Sequence, residues 1–381
     1  MTEAETRSAA PPDHEEAPAV EAGRAPVEAE RPAAEAEPVG RPADEANPTP
    51  ATEEPATHAA LTAAREVPHL GDAPGPIDRD DPYPVAGRKA MWLHVKRLLD
   101  ADAALRDPDR PHDLKRYRVA TRRLRAALRA FEDAFARREV RDLRDDLADL
   151  ATTAGAARDL EVRIGHLNEW AIERGGEGPA GVRPLADAWQ AERTAAISQL
   201  EARLRTRRHR RLLEDLVAFV ESSDGPGRRA AGQAPARPIG IRAGSLVWEA
   251  YERILAYDRG IRWADLATMH QLRIEAKRLR YLLEFLGDIL GPERADLVAR
   301  LVAVQDHLGL LNDAVVTSVA VREFLQDPST QLRAPERGEI ATYLAERERE
   351  ITRLRRSALR PWRAVAGITF ARRLARTVVA R

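Results

Sequence analysis

Cysteine is absent from this chain of 381 residues, which excludes disulfide bonds, thiolate metal ligands and thiol nucleophiles. Long apolar runs are also missing, since none approaches the roughly 18 residues that a membrane-spanning helix needs. Residues 1–5 are acidic and lack an apolar core, so they do not read as a secretory signal. Aromatic residues make up only 5% of the chain, and none precedes Tyr83. These absences predict a soluble, cytoplasmic protein that makes no contact with a membrane.

Lysine is scarce as well, because arginine supplies 57 of the 61 cationic side chains and lysine only 4. The guanidinium group keeps its charge when partly buried and presents a planar fork of donors that fits phosphate. The net charge is zero, but the charges are separated along the chain. Residues 1–80 contain 18 acidic and 6 basic side chains, so residues 81–381 carry a net charge of +12. The larger part of the chain is therefore suited to an anionic partner.

Residues 1–80 also hold 13 of the 26 prolines and few apolar side chains. A segment of this composition buries too little surface to offset the entropy lost on ordering, so we predict a disordered acidic tail. Two roles are open for it. It is either a linker or solubilising segment, or an acidic segment that competes for the basic body.

After the tail, apolar residues recur at helical spacing, and no segment shows the sustained alternation of a strand. Residues 223–239 are rich in Gly and Pro and predict a linker. The sequence repeats on either side of it: residues 118–125 match residues 273–280 at an offset of 155, with flanking matches at 156 and 154. The pattern predicts an all-α fold of two duplicated helical bundles, residues 81–222 and 240–381, related by pseudo-twofold symmetry.

One face of the first repeated helix is strongly cationic. At 100° per residue its stripe arginines fall within about 60° of one another, with leucines and phenylalanines roughly opposite. Between Lys115 and Arg129 there are seven cations and no acid, so no neighbour one turn away in this run neutralises them. The equivalent face of the second copy is also cationic, but it is less purely basic, because Glu275 interrupts the run and Glu284 lies at its end. We call these two sets the cationic stripes: Lys115, Arg118, Arg122, Arg125 and Arg129 in the first half, and His270, Arg273, Lys277 and Arg280 in the second.

A row of cations at successive helical turns is suited to a linear polyanion with a charge on every repeat. Three alternatives stay open at this point. The stripes are solvated or paired with acids of other helices, they bind nucleic acid by charge alone, or they belong to a phosphohydrolase. The nucleic-acid alternative lacks base-stacking aromatic residues on the basic face. A hydrolase would need carboxylates that hold a divalent metal beside the groove.

Few other residues point to chemistry. Asp159 and Asp313 occupy equivalent positions, each four residues after a glycine, and are candidates for helix caps or for braces that hold a stripe arginine. No Walker loop, dinucleotide-binding glycine motif or nucleophile elbow is present, and no histidines have metal-ligand spacing. We therefore predict no bound metal, no cofactor and no catalytic residue.

Four segments resemble the motifs of the CHAD family, the conserved histidine α-helical domain. They are the repeated segments 118–125 and 269–281, together with residues 158–162 and 305–313. They occur in the family's order, and the resemblance covers about residues 85–380.

The resemblance implies an all-helical fold of two similar bundles that binds inorganic polyphosphate, is recruited to polyphosphate granules and has no known catalysis of its own. The family's first histidine corresponds to Lys115 here, and His112 lies one turn earlier. Lysine still donates to phosphate, whereas a mechanism that needs two histidines is not supported. We therefore predict a non-catalytic polyphosphate-binding protein, without a specific nucleic-acid partner, in which the cationic stripes line one groove. The alternative is a phosphohydrolase that acts on polyphosphate or nucleoside triphosphates.

Overall fold

The computed structural model describes residues 67–106, 113–175, 178–222 and 237–379. Three parts of the sequence predictions lie outside these residues: residues 1–66 of the predicted disordered tail, most of the predicted linker, and His112. Within them the structure is all-α, as predicted, and the only pairing of extended backbone is one isolated bridge between Pro82 and Pro238.

The helices follow one another with short connections. Before the predicted linker they are α1 (Tyr83–Arg106), α2 (Leu114–Ala130), α3 (Arg137–Arg174), α4 (Gly178–Gly181), α5 (Arg183–Leu204) and α6 (Arg207–Glu221), with a 3-10 turn at Glu132–Ala134. After it they are α7 (Ile239–Leu255), α8 (Leu266–Phe285), α9 (Arg294–Gln326), α10 (Ala334–Ser357), α11 (Leu359–Ala366) and α12 (Ile368–Val379).

Polar side chains fix several helix starts. The carboxylate of Asp113 accepts a hydrogen bond from the backbone N–H of Arg116 at the start of α2. Asp265 does the same for Thr268 at the start of α8, so both stripe helices begin with an aspartate cap. Such caps satisfy backbone donors that have no partner within the helix, and each stabilises a helix by about 1 kcal/mol.

The long helix α3 joins two segments that the sequence pattern separates, residues 142–151 and 158–172. The residues between them include Ala154, Gly155 and Ala157, which are small and buried, and no proline interrupts them. A single glycine weakens a helix interior by only about 1 kcal/mol, so packing is enough to keep α3 continuous past Gly155. It ends at Gly175, whose φ of 64° lies in the left-handed region that favours glycine.

The two stripe helices pack against each other and against their own neighbours. Helix α2 lies on α1 and α3, α8 lies on α7 and α9, and α2 and α8 are in direct contact. The apolar faces predicted by the helical wheel are buried, as at Leu124, Leu128, Leu279 and Leu283, each with 0% exposure. The stripes therefore lie on the accessible face of each helix. The apolar face opposite each stripe forms part of one core.

A second contact joins the two halves through α3 and α10. The indole N–H of Trp170 donates to Glu346 at 2.6 Å, and its ring lies 5.1 Å from that of Tyr343. Nearby, the guanidinium of Arg174 pairs with Glu339 at 2.7 Å. This contact holds the C-terminal end of α3 in place.

Residues 67–80, assigned to the tail by sequence analysis, lie against the helices. Ile77 is buried in the core, and its backbone N–H donates to Asp288 at 2.9 Å. The backbone N–H of Gly71 donates to the carboxylate of Glu221. In the part of the chain that the structure describes, no helix combines the length and the apolar character needed to cross a bilayer.

Candidate functional site

The first stripe lies along α2 at graded exposure. Lys115 and Arg129, at its two ends, are exposed, and the three arginines between them are half-buried. Half-burial removes part of the water around a guanidinium, so an anion that reaches these side chains meets partly desolvated donors. The geometry matches the face that the helical wheel predicts.

Arg118 is braced from the neighbouring helix. Its Nη2 atom lies 2.8 Å from Oδ1 of Asp159 on α3, which confirms the bracing role among the two predicted for this aspartate. Asp159 lies in the interior of α3 and so is not a cap. The guanidinium crosses α3 at Gly155, where a Cβ would lie 3.9 Å from its Nε. The glycine and the aspartate one turn later thus position this arginine.

The second half repeats the arrangement. Arg273, the counterpart of Arg118, crosses α9 at Gly309, where a Cβ would lie 3.8 Å from its Nε. Two consecutive polar residues on α9, Asn312 and Asp313, follow that glycine, and Oδ1 of Asn312 lies 2.8 Å from Nδ1 of His270. The amide thereby holds the imidazole of His270 at the start of the second stripe.

Other stripe cations have no acid against them. Among residues 67–106, 113–175, 178–222 and 237–379, no ion pair forms at Lys115, Arg122 or Arg125. Their charges are therefore available to a ligand from solution. This observation disfavours the alternative in which the first stripe is neutralised within the fold.

Glu284 ties the two stripe helices together. It lies 2.8 Å from Arg123 of α2 and 3.4 Å from Arg280 of its own helix. Arg123 also lies over the ring of Tyr281, 5.5 Å from its centroid. The partner of Glu284 across the helix pair is 161 residues away in the sequence, so no local sequence signal reveals it.

Like charges meet at the other end of this helix pair. The pKa of Arg129 is lowered, first by desolvation, then by the positive charges of Arg278, Arg125 and Arg144. Arg278 is itself held by Glu275, whose side chain is largely buried. Guanidinium groups gathered in this way favour an anion between them, because an anion relieves their repulsion.

The repeat offset relates these two ends. Position 123 corresponds to 278, and position 284 corresponds to 129, so the contact of Arg123 with Glu284 has its counterpart in the approach of Arg278 to Arg129.

In the described parts of the chain, no group of three or more histidine, aspartate or glutamate side chains is placed to hold a metal ion. What the arrangement offers is a set of fixed guanidinium and ammonium donors, some braced by acids and some not.

Comparisons with known proteins agree with the resemblance seen in the sequence. A family model described as the CHAD domain matches residues 89–322. Uncharacterized proteins from two strains of Mycobacterium tuberculosis are each 30% identical over 261 residues, which is 65% of this chain and 46% of theirs. The chain thus spans less than half the length of these relatives.

Solved structures show the same fold. PptA from Streptomyces chartreusis matches with a TM-score of 0.60 and 16% identity, covering 74% of this chain and 100% of that one. The CHAD domain from the plant Ricinus communis matches with a TM-score of 0.56 and 24% identity, covering 76% of this chain and 96% of that one. From the family model and these folds, we conclude that the chain belongs to the CHAD domain family.

Proposed function

We propose that this protein binds inorganic polyphosphate, without catalysis, in a groove between α2 and α8. The observation that carries the proposal is the pairing of the two stripe helices, with cations of the first stripe that have no acid partner in the described residues. A chain of phosphates supplies the missing negative charges at the spacing of helical turns. Family membership supports the same function.

Within this proposal the stripe residues have different roles. Arg122, Arg125 and Lys115 bind phosphate as free cations, whereas Arg118 binds it in an orientation fixed by Asp159. In the second half Arg273, Lys277 and Arg280 extend the groove, and His270 donates from a ring oriented by Asn312. The two halves act as a pseudo-twofold pair of bundles, and the bound polymer recruits the protein to polyphosphate granules.

Titrations with polyphosphate test the proposal. Affinity for long chains should fall linearly on a log–log plot against salt, and ATP should bind far more weakly because it spans only part of the groove. Arg122→Gln and Lys277→Gln should each cost on the order of 1–3 kcal/mol and reduce the salt slope by about one. Arg183→Gln is the control, since Arg183 is exposed on α5 beside Asp187.

Three outcomes would contradict the proposal. Equal affinity for ATP and for a long polyphosphate chain would show that the binding site is not an extended groove. Unchanged polyphosphate binding in both stripe variants would show that the stripes are not part of the binding site. Steady release of phosphate from polyphosphate or nucleoside triphosphates with Mg²⁺ or Mn²⁺ would show that the protein is a phosphohydrolase, the alternative function, and not only a binding protein.

A further inference from the structure

An exposed face of the second half lies on α7 and α12. On α7 the exposed side chains follow one side of the helix, within about 100° of one another: Ile241, Ser245, Trp248, Glu249 and Glu252. On α12 four more fall within about 60°: Ile368, Arg372, Ala375 and Val379. We call these nine residues the α7–α12 face. Its apolar members are open to solvent, with Ile241 65% and Val379 73% exposed.

The two helices are antiparallel neighbours. A Cβ at Gly244 of α7 would lie 3.1 Å from Cγ1 of Val378 on α12. Two turns further along α7, the ring of Tyr251 lies 5.3 Å from that of Phe370, which comes two turns earlier on α12. The later position on one helix thus meets the earlier position on the other, which fixes both their direction and their register.

This register makes the two rows of exposed residues one continuous surface. It puts Trp248 near the level of Ala375, and Glu249 near the level of Arg372. On both helices the exposed positions lie about 100–130° beyond the contact positions, counted in the direction of the chain. For antiparallel neighbours, rotation in the same sense points to the same side of the pair. The α7 row and the α12 row therefore open side by side.

Trp248 lies near the middle of the α7–α12 face. Its indole stacks on the buried ring of Tyr251, with the planes 17° apart and the centroids 5.6 Å apart. The side chain is nevertheless 41% exposed, so it is fixed on one side and open on the other. Apolar side chains gathered on one surface, with an ordered tryptophan among them, are typical of a site that contacts a partner.

The first half covers its counterpart of this face with its own chain. Trp92 of α1, which corresponds to Trp248 at the offset of 156, is half-buried. Residues 67–80 lie there, and Nζ of Lys89, one turn before Trp92, donates to the carbonyl oxygen of Pro76 at 3.0 Å. Among the described residues, no segment does the same for the α7–α12 face, because its nine members are all exposed.

Charges on the face indicate which partner fits it. Glu249 and Glu252 of α7, and Arg372 of α12, form no ion pair within the residues that the structure describes. The neighbouring Arg373 and Arg376 are already matched by acids at the start of α9. Acids therefore lie on the α7 side of the face and a cation lies on the α12 side, so the face is complementary to a rotated copy of itself.

We propose that the α7–α12 face is the interface of a symmetric dimer of this chain. A twofold axis parallel to the two helices places α7 of one copy on α12 of the other and keeps every residue at its own level. Glu249 and Glu252 then meet Arg372 of the other copy, and Trp248 covers the small side chain of Ala375. The face contains no stripe residue, so the dimer does not depend on the proposed polyphosphate groove.

Sedimentation of the full chain over a wide range of concentrations tests the proposal. The wild type should pass from monomer to dimer as the concentration rises. Trp248→Gln should raise the dissociation constant of the dimer at least tenfold, because a large aromatic side chain leaves the interface. Trp263→Gln is the control and should leave it unchanged, since Trp263 is 85% exposed in the loop before α8, outside the face. A chain that is monomeric at every concentration would overturn the proposal and leave the face to another partner.

Reversal of the charges adds an arm that misfolding cannot imitate. Arg372→Glu alone, and Glu249→Arg combined with Glu252→Arg, should each give a monomer, because like charges then meet across the axis. An equimolar mixture of the two variants should form a heterodimer, because both reversed contacts are complementary again. All three residues are exposed, so each variant should keep the helicity and the melting behaviour of the wild type. A dimer that survives both reversals, or a mixture that stays monomeric, would overturn the proposal.

Discussion

Single residues in this protein show how a buried charge is held. The carboxylate of Asp102 is fully buried, accepts a hydrogen bond from Nε of Arg106 at 2.6 Å and lies 2.6 Å from Nε2 of His209. The contact joins α1 to α6, and His209 is as deeply buried as its partner. A buried pair of this kind adds little net stability, but loss of one partner leaves an uncompensated charge.

We therefore expect Asp102→Ala to destabilise the fold by about 3–5 kcal/mol. The matched control is Asp100→Ala on the same helix, because Asp100 is exposed and pairs with Lys96 one turn away. That change should cost less than about 1 kcal/mol. Urea unfolding measures both values. A loss for Asp102→Ala as small as that of the control would show that the pair is not desolvated in solution.

His94 predicts a pH dependence of stability at the same scale. Its pKa is about 4 in the fold against an ordinary value of 6.5, chiefly because it is buried. Between these two values the unfolded chain binds more protons than the native one, so stability is full above pH 6.5 and falls as the pH drops toward 4. The loss attributable to this residue should reach about 3 kcal/mol, at 1.4 kcal/mol for each pKa unit.

The measurement compares urea unfolding of the wild type with that of His94→Gln across this pH range. The variant cannot be protonated, so its free energy of unfolding should fall less steeply with acid, while contributions from other groups cancel in the difference. Parallel curves for the two proteins would contradict the assigned cause.

At the scale of a helix, the predictions that rest on local sequence patterns agree with the structure. The wheel for residues 113–135 predicts the buried face that Leu124 and Leu128 occupy and the cationic face opposite. The repeat offset predicts equivalence of Gly155 and Gly309, and each does lie beneath a stripe arginine. The pattern does not predict that α3 is continuous, because burial of its small residues against other helices overrides local propensity.

The glycine beneath Arg118 gives an element-scale prediction for the proposed function. Gly155→Leu should push the guanidinium out of position and weaken polyphosphate binding about three- to tenfold, although no charge is removed. Gly165→Leu on the same helix is the control, since a Cβ there meets nothing within 4 Å. Binding titrations with a check of helicity measure both. Equal binding by the two variants would mean that the orientation of Arg118 does not matter.

At the scale of the whole molecule, contacts between residues far apart in the chain determine which charges are neutralised, and these contacts cannot be read from the sequence. The ion pair of Arg123 with Glu284 and the approach of Arg129 to Arg278 join residues far apart in the chain. Composition predicts that the body is basic, yet it does not tell which cations are neutralised inside the fold. Arg118 and Arg280 turn out to have acid partners, whereas Arg122 has no ion pair in the described residues.

Charge separation along the chain gives the last prediction. Residues 1–66 contain 15 acidic and 5 basic side chains, so they carry a net charge of −10, opposite in sign to the net charge of the rest of the chain. If this segment competes for the proposed groove, a chain that begins at residue 67 should bind polyphosphate several-fold more tightly at low salt. The difference should vanish at high salt, because a Debye length of about 3 Å at 1 M screens the acidic segment from the groove.

The control keeps the length of the segment and removes its charge, with glutamine in place of each acid in residues 1–66. It should bind polyphosphate as tightly as the shortened chain, because charge and not bulk is the proposed cause. Titration of the three proteins at two salt concentrations decides between the two roles open for the acidic segment. Equal affinity of all three at low salt would make it a linker or solubilising segment. Tighter binding by the shortened chain alone would indicate steric obstruction.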